Sequence, residues 1–394
     1  MNHTPQPAPL SGVKVLELGA LIAGPYAASL LAQFGAEVIK VESPKEGDPL
    51  RKWRKLHQGT SLWWYTQSRN KKSVTLDLNF EEAREIVRRL VQEVDIVVEN
   101  FRPGTLEKWG LGWNDLSALK PGLIMVRISG YGQTGPYRNR PGFAAIAECM
   151  GGLRYVTGFQ DRPPVRVGVS LGDTLASLYG TIGALMAMYH LKVNGGRGQY
   201  IDVALYEAVF AVMESLLPEY AASGYVRERS GASLPGISPS NTFVCADGRY
   251  VVIAGNADAI FKRLMTAIGR DDLAHIPDSR GMTGESRATT SSMMQSRRGH
   301  PGMRLKRSCR FSKRPKCRAG ASTPPPTLPP IPNIRRVACS SAITCPTVSR
   351  SSSLAWCPSS APHRDEHAGS VRALANTPKK SWRRSASMPK RLTP

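Results

Sequence analysis

Apolar positions in the first two-thirds of the chain come in short blocks that alternate between a strand period and a helix period. Val13-Lys-Val-Leu-Glu-Leu18 reads as a strand that ends in Gly19. Gly24-Pro25 then opens a helix, with Pro25 suited to its first turn. That helix carries Ala27, Leu30, Leu31 and Phe34 and stops at Gly35, and residues 37–42 form the next strand. A β-α-β unit of about thirty residues predicts a parallel, doubly wound sheet. The pattern continues with a strand over residues 73–78, a helix over 81–94, and strands over 95–100 and 123–129. Asn79 and Glu82 have the spacing of a capping box for the 81–94 helix. A long apolar helix runs from about Thr174 to a stop signal at Asn194-Gly-Gly196. Residues 200–205 then form a strand that runs into a helix over 206–217.

A shift to Gly, Ser, Pro and Arg over residues 224–240 marks a linker. Two β-rich runs flank Asp247-Gly248, a hairpin signal. Asn256 stands as N-cap of a helix carrying Ile260, Phe261, Leu264, Met265 and Ile268. The expected fold class is α/β. It combines a large domain built on a doubly wound parallel sheet (1–223), a small second α+β domain (224–275), and a tail (276–394).

Charge separates that tail from the rest. The formal net charge of the whole chain is +23. Residues 276–394 hold 23 Lys and Arg against four acids, a net +19, which leaves +4 for residues 1–275. The basic character therefore describes the tail and does not make the first 275 residues a nucleic-acid binder. Ser, Pro and Arg dominate the tail and no periodicity persists, so disorder or out-of-frame reading is expected there.

Cysteine, terminus and hydropathy narrow the setting. Only Cys149 and Cys245 precede the tail, giving neither a disulfide framework nor a metal-ligand spacing. That fits a reducing compartment, the cytoplasm. The first ten residues lack a basic and apolar leader pattern. Residues 175–191 carry Ser177, Tyr179, Thr181 and His190, so the stretch reads as a buried helix rather than a membrane span.

Several residues are candidates for chemistry. Gly19-Ala-Leu-Ile-Ala-Gly24, with Glu42 downstream, resembles a dinucleotide fingerprint, but Leu21 and Ile22 stand where close approach to a pyrophosphate needs glycine. A plain strand-to-helix turn is preferred. Asp173, in Gly172-Asp173-Thr174 at a helix start, reads locally as an N-cap. In the same position an ionised carboxylate, its pKa lowered by the helix end, could serve as a covalent nucleophile. Arg69-Asn-Lys-Lys72 is either a solvated turn or a phosphate contact. Trp63 and Trp64 could cover a flat ring or pack in a core. His190 reads as a core or helix-end residue.

One ordered series of segments carries more information than any single motif. It comprises Leu10-Ser-Gly-Val-Lys-Val-Leu-Glu-Leu18 with Ala23-Gly-Pro25, Gly35-Ala-Glu-Val-Ile-Lys-Val-Glu42, and Asn70-Lys-Lys-Ser-Val-Thr-Leu-Asp-Leu78. Val98-Glu-Asn-Phe-Arg-Pro-Gly104, Gly130-Tyr-Gly-Gln-Thr-Gly-Pro136, Gly151-Gly-Leu-Arg-Tyr-Val-Thr-Gly158 and Gly172-Asp173 follow in order. Together they resemble the family III CoA-transferases, the CaiB/BaiF group that includes formyl-CoA transferase, over residues 10–275.

The resemblance implies an enzyme that moves CoA from an acyl-CoA thioester to a free carboxylic acid, with Asp173 as nucleophile. It implies CoA contacts at Ile22, Ala23, Leu76, Asn100, Phe101, Arg102, Lys108 and Phe143, and an oxyanion loop near Gly255 and Asn256. Acyl-CoA and a small carboxylate, such as succinate, would be the substrates, with no permanently bound cofactor and no metal. The family's dimers are two interlocked rings, so a homodimer is implied. Ala144 stands where many members carry an acid. A racemase-like activity of the same fold ranks second, since those relatives use a histidine where this chain has Phe143. Nucleic-acid binding through the tail ranks third, and no membrane partner is expected. In the family the chain returns to complete the large domain. Here the family-like sequence stops near His275, and loss of acids beside enrichment in Arg, Ser, Pro and Cys is what a shifted reading frame would give.

Overall fold

The computed structural model describes residues 7–234, 239–244, 250–255, 257–267, 271–274 and 318–322. These fall into two units, the first holding residues 7–155 and 165–227, the second residues 156–164 and the described residues from 228 onward. Asn256 and the Asp247-Gly248 turn lie outside the described residues.

The first unit begins with β1 (Lys14–Glu17), α1 (Ala23–Gln33) and β2 (Glu37–Glu42). A two-rung hairpin, β3 (Leu56–His57) and β4 (Thr60–Ser61), leads into α2 (Leu62–Gln67) and β5 (Lys71–Thr75). There follow α3 (Glu81–Glu93), β6 (Ile96–Glu99), α4 (Thr105–Lys108), α5 (Trp113–Leu119) and β7 (Ile124–Ser129). The chain continues through α6 (Ala144–Met150), α7 (Leu153–Val156), α8 (Leu171–Val193), β8 (Tyr200–Ala204), α9 (Leu205–Phe210) and α10 (Leu216–Ser223). Six strands form one sheet in the order β5-β2-β1-β6-β7-β8, every pair parallel.

This is the doubly wound sheet that the apolar blocks imply. Every residue of β6 and β7 is buried, because helices cover both faces of a parallel sheet. Alternate side chains feed two cores. Ile124, Val126 and Ile128 pack with Ala27, Leu31 and Ala184 on one face, while Leu123 and Met125 pack with Val87, Val91 and Leu116 on the other. Strand order reverses between β1 and β6, so the loops after β1, β6 and β7 open onto one crevice at their carboxyl ends.

Four local expectations need correction. The 73–78 strand lies earlier, at Lys71–Thr75, because Asn70 turns the chain with φ +61 and an edge strand tolerates polar residues. The 81–94 helix has Phe80 at its N-cap with no side-chain cap bond. Asn79 spends its amide on Asp77 Oδ1 (2.8 Å) instead of forming a capping box. The 206–217 helix breaks between α9 and α10, where Glu214 has φ +53. The apolar α8 is not buried all round. Its small residues Gly172, Ala176, Gly180, Ala184 and Ala187 face the core, while Leu178, Ile182, Leu185, Met186, Tyr189 and Val193 are exposed. A Cβ on Gly180 would meet Val126 Cγ1 at 2.9 Å, so glycine is what lets this helix lie close on the sheet. Among the described residues no helix is long and apolar enough to cross a membrane.

In the second unit β9 (Ser240–Val244) and β10 (Tyr250–Ala254) pair antiparallel as the hairpin signal implies, followed by α11 (Asp258–Ala267) and α12 (Asp271–Ala274). The third strand of this sheet, β11 (Arg318–Ser322), pairs antiparallel with β10. It comes from the segment in which no strand pattern was legible.

Candidate active site

The loop after β1 forms one wall of the crevice, and buried polar groups fix it. Lys40 Nζ bonds Glu17 Oε1 (2.7 Å), Asp48 Oδ2 (2.9 Å) and the Gly19 carbonyl (2.8 Å). Burial alone would lower the Lys40 pKa; the Glu17 and Asp48 carboxylates outweigh it and hold the ammonium above its usual range. Asp48 in turn accepts the Leu21 amide at 3.1 and 3.2 Å, and Gln67 Nε2 donates to the Leu21 and Ile22 carbonyls. These bonds hold Leu21 at φ +66, a left-handed conformation that a leucine resists. Asn100 brackets the same loop, its Oδ1 accepting from the Ala20 amide and its Nδ2 donating to the Ala20 carbonyl, each at 2.9 Å. A Cβ on Gly19 would stand 2.5 Å from Asn100 Oδ1, so this glycine serves a side-chain clamp rather than a pyrophosphate. Glu42 is equally committed. Although burial opposes ionisation, bonds from Arg51, Ser73 and the Asp48 amide lower its pKa to about 2. Neither half of a dinucleotide fingerprint is available.

The cluster at residues 69–72 divides. Lys71 is buried against Glu17 Oε2 (2.7 Å) and the Pro25 carbonyl (2.7 Å), whereas Lys72 is exposed and pairs with Glu37. Trp64 is buried with the Arg51 guanidinium over its ring, and Trp63 packs against Trp53. His190 is an exposed helix-end residue.

Asp173 lies in the first turn of α8, two residues after the helix begins, rather than at the N-cap, which is Ser170. Ser177 Oγ, fully buried one turn later, lies 2.7 Å from both the Asp173 and Ala23 carbonyls and ties this turn to the loop after β1. Glu148 on α6 is wholly inaccessible. It is anchored by Arg154 (2.8 Å), and its other oxygen faces the Gly172 amide at 3.4 Å. The expectation of a lowered Asp173 pKa is overturned. Burial, reinforced by the Glu148 charge and only partly opposed by Arg166, raises it to about 7. A helix end offers a few amide dipoles; removing a carboxylate from water beside a second carboxylate costs more.

A cavity of about 370 Å³ opens over these elements. Its walls bring together Asp173, Ile22, Ala23, Asn100, Phe101, Arg102 and Phe143, seven of the nine residues named as nucleophile and CoA contacts. Leu76 and Lys108 do not line it. Leu76 packs half-buried against the second core, and Lys108 is exposed at the end of α4. Ala144 lines it beside Phe143. Trp53, Ser129, Arg138, Arg140, Arg166 and Ser170 line it too. The sequence reading missed these six, which come from a strand end (Ser129), a helix cap (Ser170) and the loops holding Trp53, Arg138, Arg140 and Arg166. The amide of Gly255, in the second unit, donates to the Pro239 carbonyl at 2.6 Å.

Comparison with known proteins decides the family. The CoA-transferase family III profile matches residues 10–298, beyond the His275 limit read from the motifs. The chain belongs to CoA-transferase family III. A succinyl-CoA–D-citramalate CoA-transferase of Chloroflexus aurantiacus is 55% identical over 278 residues, covering 70% of this chain and 69% of that protein. The alpha subunit of a succinyl-CoA–L-malate CoA-transferase from Chloroflexus aurantiacus is 49% identical over 269 residues, 68% of this chain and 63% of the relative. The matched stretch thus spans about two-thirds of these relatives' length. The crystal structure of a CaiB/BaiF family protein from Brucella suis superposes with a TM-score of 0.68 at 37% identity, covering 80% of this chain and 84% of that one. Phe143 and Ala144 both lie on the cavity wall.

Proposed function

We propose that this chain transfers CoA from a dicarboxylyl-CoA, with succinyl-CoA the leading donor, to a second small dicarboxylic acid, using Asp173 as nucleophile. One observation carries the reading: in a family III chain, the Asp173 carboxylate faces a cavity of ligand size whose other ionisable lining groups are arginines. The two relatives named above both act on succinyl-CoA with a hydroxylated dicarboxylate, by their names.

In this reading an Asp173 oxygen attacks the thioester carbonyl carbon, and the C–S bond breaks to expel CoA as thiolate. A mixed anhydride remains. The thiolate then attacks the aspartyl carbonyl, freeing the first acid and leaving an aspartyl-CoA thioester. The incoming carboxylate attacks that thioester and expels the thiolate, giving a second anhydride. Attack by the thiolate on its acyl carbon yields the new acyl-CoA and restores Asp173. Every intermediate keeps the acyl group activated, so no ATP is consumed. A carboxylate is a weak nucleophile, and positioning, worth about 7–11 kcal/mol, supplies much of the rate. Ile22, Ala23, Asn100, Phe101, Arg102 and Phe143 form the CoA-facing wall, with Leu76 and Lys108 further out. Residues 1–223 act as the CoA-binding domain, and the working form is a cytoplasmic homodimer.

Replacing Asp173 with Ala is expected to reduce exchange of labelled succinate into succinyl-CoA by about a thousandfold or more. Hydroxylamine added during turnover should leave a hydroxamate at Asp173, read by peptide mass. Exchange retained by the alanine variant overturns the assignment.

A further inference from the structure

Resting on that reading, we infer that Ser129 and Arg166, in the field of Arg138 and Arg140, form a subsite that recognises the free carboxylate of a dicarboxylyl group and so selects diacid over monoacid thioesters. Ser129 ends β7 at the floor of the crevice. It is 6% exposed and lines the cavity, and among the described residues its Oγ has no hydrogen-bond partner. A buried hydroxyl without a partner is costly, and a ligand acceptor placed in the cavity would satisfy it. Arg166 precedes α8. Its one hydrogen bond among the described residues is a long one to neutral Ser170 Oγ (3.5 Å), and its charge acts on Asp173. It therefore shares the cavity wall with the nucleophile and is close enough for its charge to be felt there.

The other two guanidiniums arrive by a fold-back. Gly130 and Gly142 come so close that a Cβ on Gly130 would be 2.8 Å from Gly142 Cα, and Asp202 holds the Gln133 amide at 2.9 and 3.0 Å. The loop between them is turned back onto the end of β7, bringing Arg138 and Arg140 to the same cavity. Arg140 is stacked on Tyr137 at 3.9 Å, a placement that fixes its plane before a ligand arrives. Among the described residues none of the three arginines forms a salt bridge with a carboxylate. Among the residues lining the cavity four arginines face a single carboxylate, Asp173, an excess of positive charge arranged for an anion from outside. A carboxylate and a phosphate share that chemistry; nearness of Arg166 and Ser129 to the reacting group favours the acyl carboxylate over the CoA phosphates.

Calorimetric titration of the full-length chain with succinyl-CoA, butyryl-CoA and free CoA separates these sources. The wild type should bind succinyl-CoA more tightly than butyryl-CoA. Arg166→Gln should weaken succinyl-CoA by about tenfold or more, the loss of a charged hydrogen bond, and butyryl-CoA and CoA by clearly less. Ser129→Ala should move the same ratio in the same direction by a smaller factor, and Arg166→Lys should restore part of it. Equal loss on all three ligands would assign the arginines to the CoA phosphates and overturn the subsite, as would no loss on succinyl-CoA. A wild-type chain that binds CoA and butyryl-CoA without favouring succinyl-CoA sinks the subsite alone. One that binds none of the three sinks the proposed function as well.

Discussion

At the scale of the residue, the decisive balance is at Asp173. An acid raised to about 7 is roughly half ionised at neutral pH, and only the ionised form attacks. Acyl exchange should therefore rise as pH increases through about 7, and the rise should vanish with the nucleophile. Glu148 raises that pKa and Arg166 lowers it, so Glu148→Gln should move the midpoint down and Arg166→Gln should move it up. Rate measurements from pH 5.5 to 8.5 at fixed ionic strength test both; a midpoint unmoved by either change would show that burial alone sets it. Asp173 was singled out through the ordered series of family-like segments, since on its own Gly172-Asp173-Thr174 reads as a helix cap. Its pKa was not legible, because Glu148 and the burying wall come from α6, far along the sequence. The same reason hid Ser129, Arg138, Arg140 and Arg166: each looks ordinary in its own loop, and only the fold-back of residues 130–142 brings the second and third of them to the others.

At the scale of the element, α8 shows both the reach and the limit of pattern reading. Its Asn194 end and Gly195 in the left-handed conformation (φ +62) follow from local sequence, while its start, read near Thr174, lies at Leu171. Its burial does not follow, since an apolar stripe cannot say whether the neighbour is its own sheet or another surface. The two faces predict two separable outcomes. Gly180→Val forces a side chain against Val126 and should cost about 1–3 kcal/mol of stability in urea unfolding, with the association state unchanged. Ile182→Glu, on the exposed stripe, should leave unfolding nearly unchanged if the face is open in solution. In the proposed homodimer it should instead shift sedimentation toward the monomer. A wild-type chain that sediments as a monomer at all concentrations would overturn the proposed dimer. Strand positions such as Glu37–Glu42 were read to the residue because their alternation is bounded by Gly35 and Ser43, whereas the break after Phe210 was missed because Ala211, Val212 and Met213 continue the apolar run and no Gly or Pro marks it.

At the scale of the whole molecule, the first unit is complete enough in its sheet to form the crevice, while the family match ends at residue 298. About a third of these relatives' length lies outside what this chain matches. Beyond residue 275 the chain changes from near neutrality to net +19, with four acids in residues 276–394. A point mutation cannot change composition over so long a span, but one inserted or deleted base can. We predict that the coding DNA, resequenced across codons 270–300 and translated in its other two frames, contains a frame that restores acids and apolar periodicity after the junction. The product of that repaired frame should then show the Asp173-dependent exchange and a much lower net charge. It should elute earlier from a cation-exchange column, and the present chain should be held on polyanions only at low salt. If neither alternative frame yields periodic sequence, the basic segment is native to this chain. Its pairing of Arg318–Ser322 with Tyr250–Ala254 is then a constructed third strand rather than an accident of composition. Deleting residues 318–322 should in that case leave β10 with an open edge and lower the solubility of the chain, a result that an out-of-frame tail would not give.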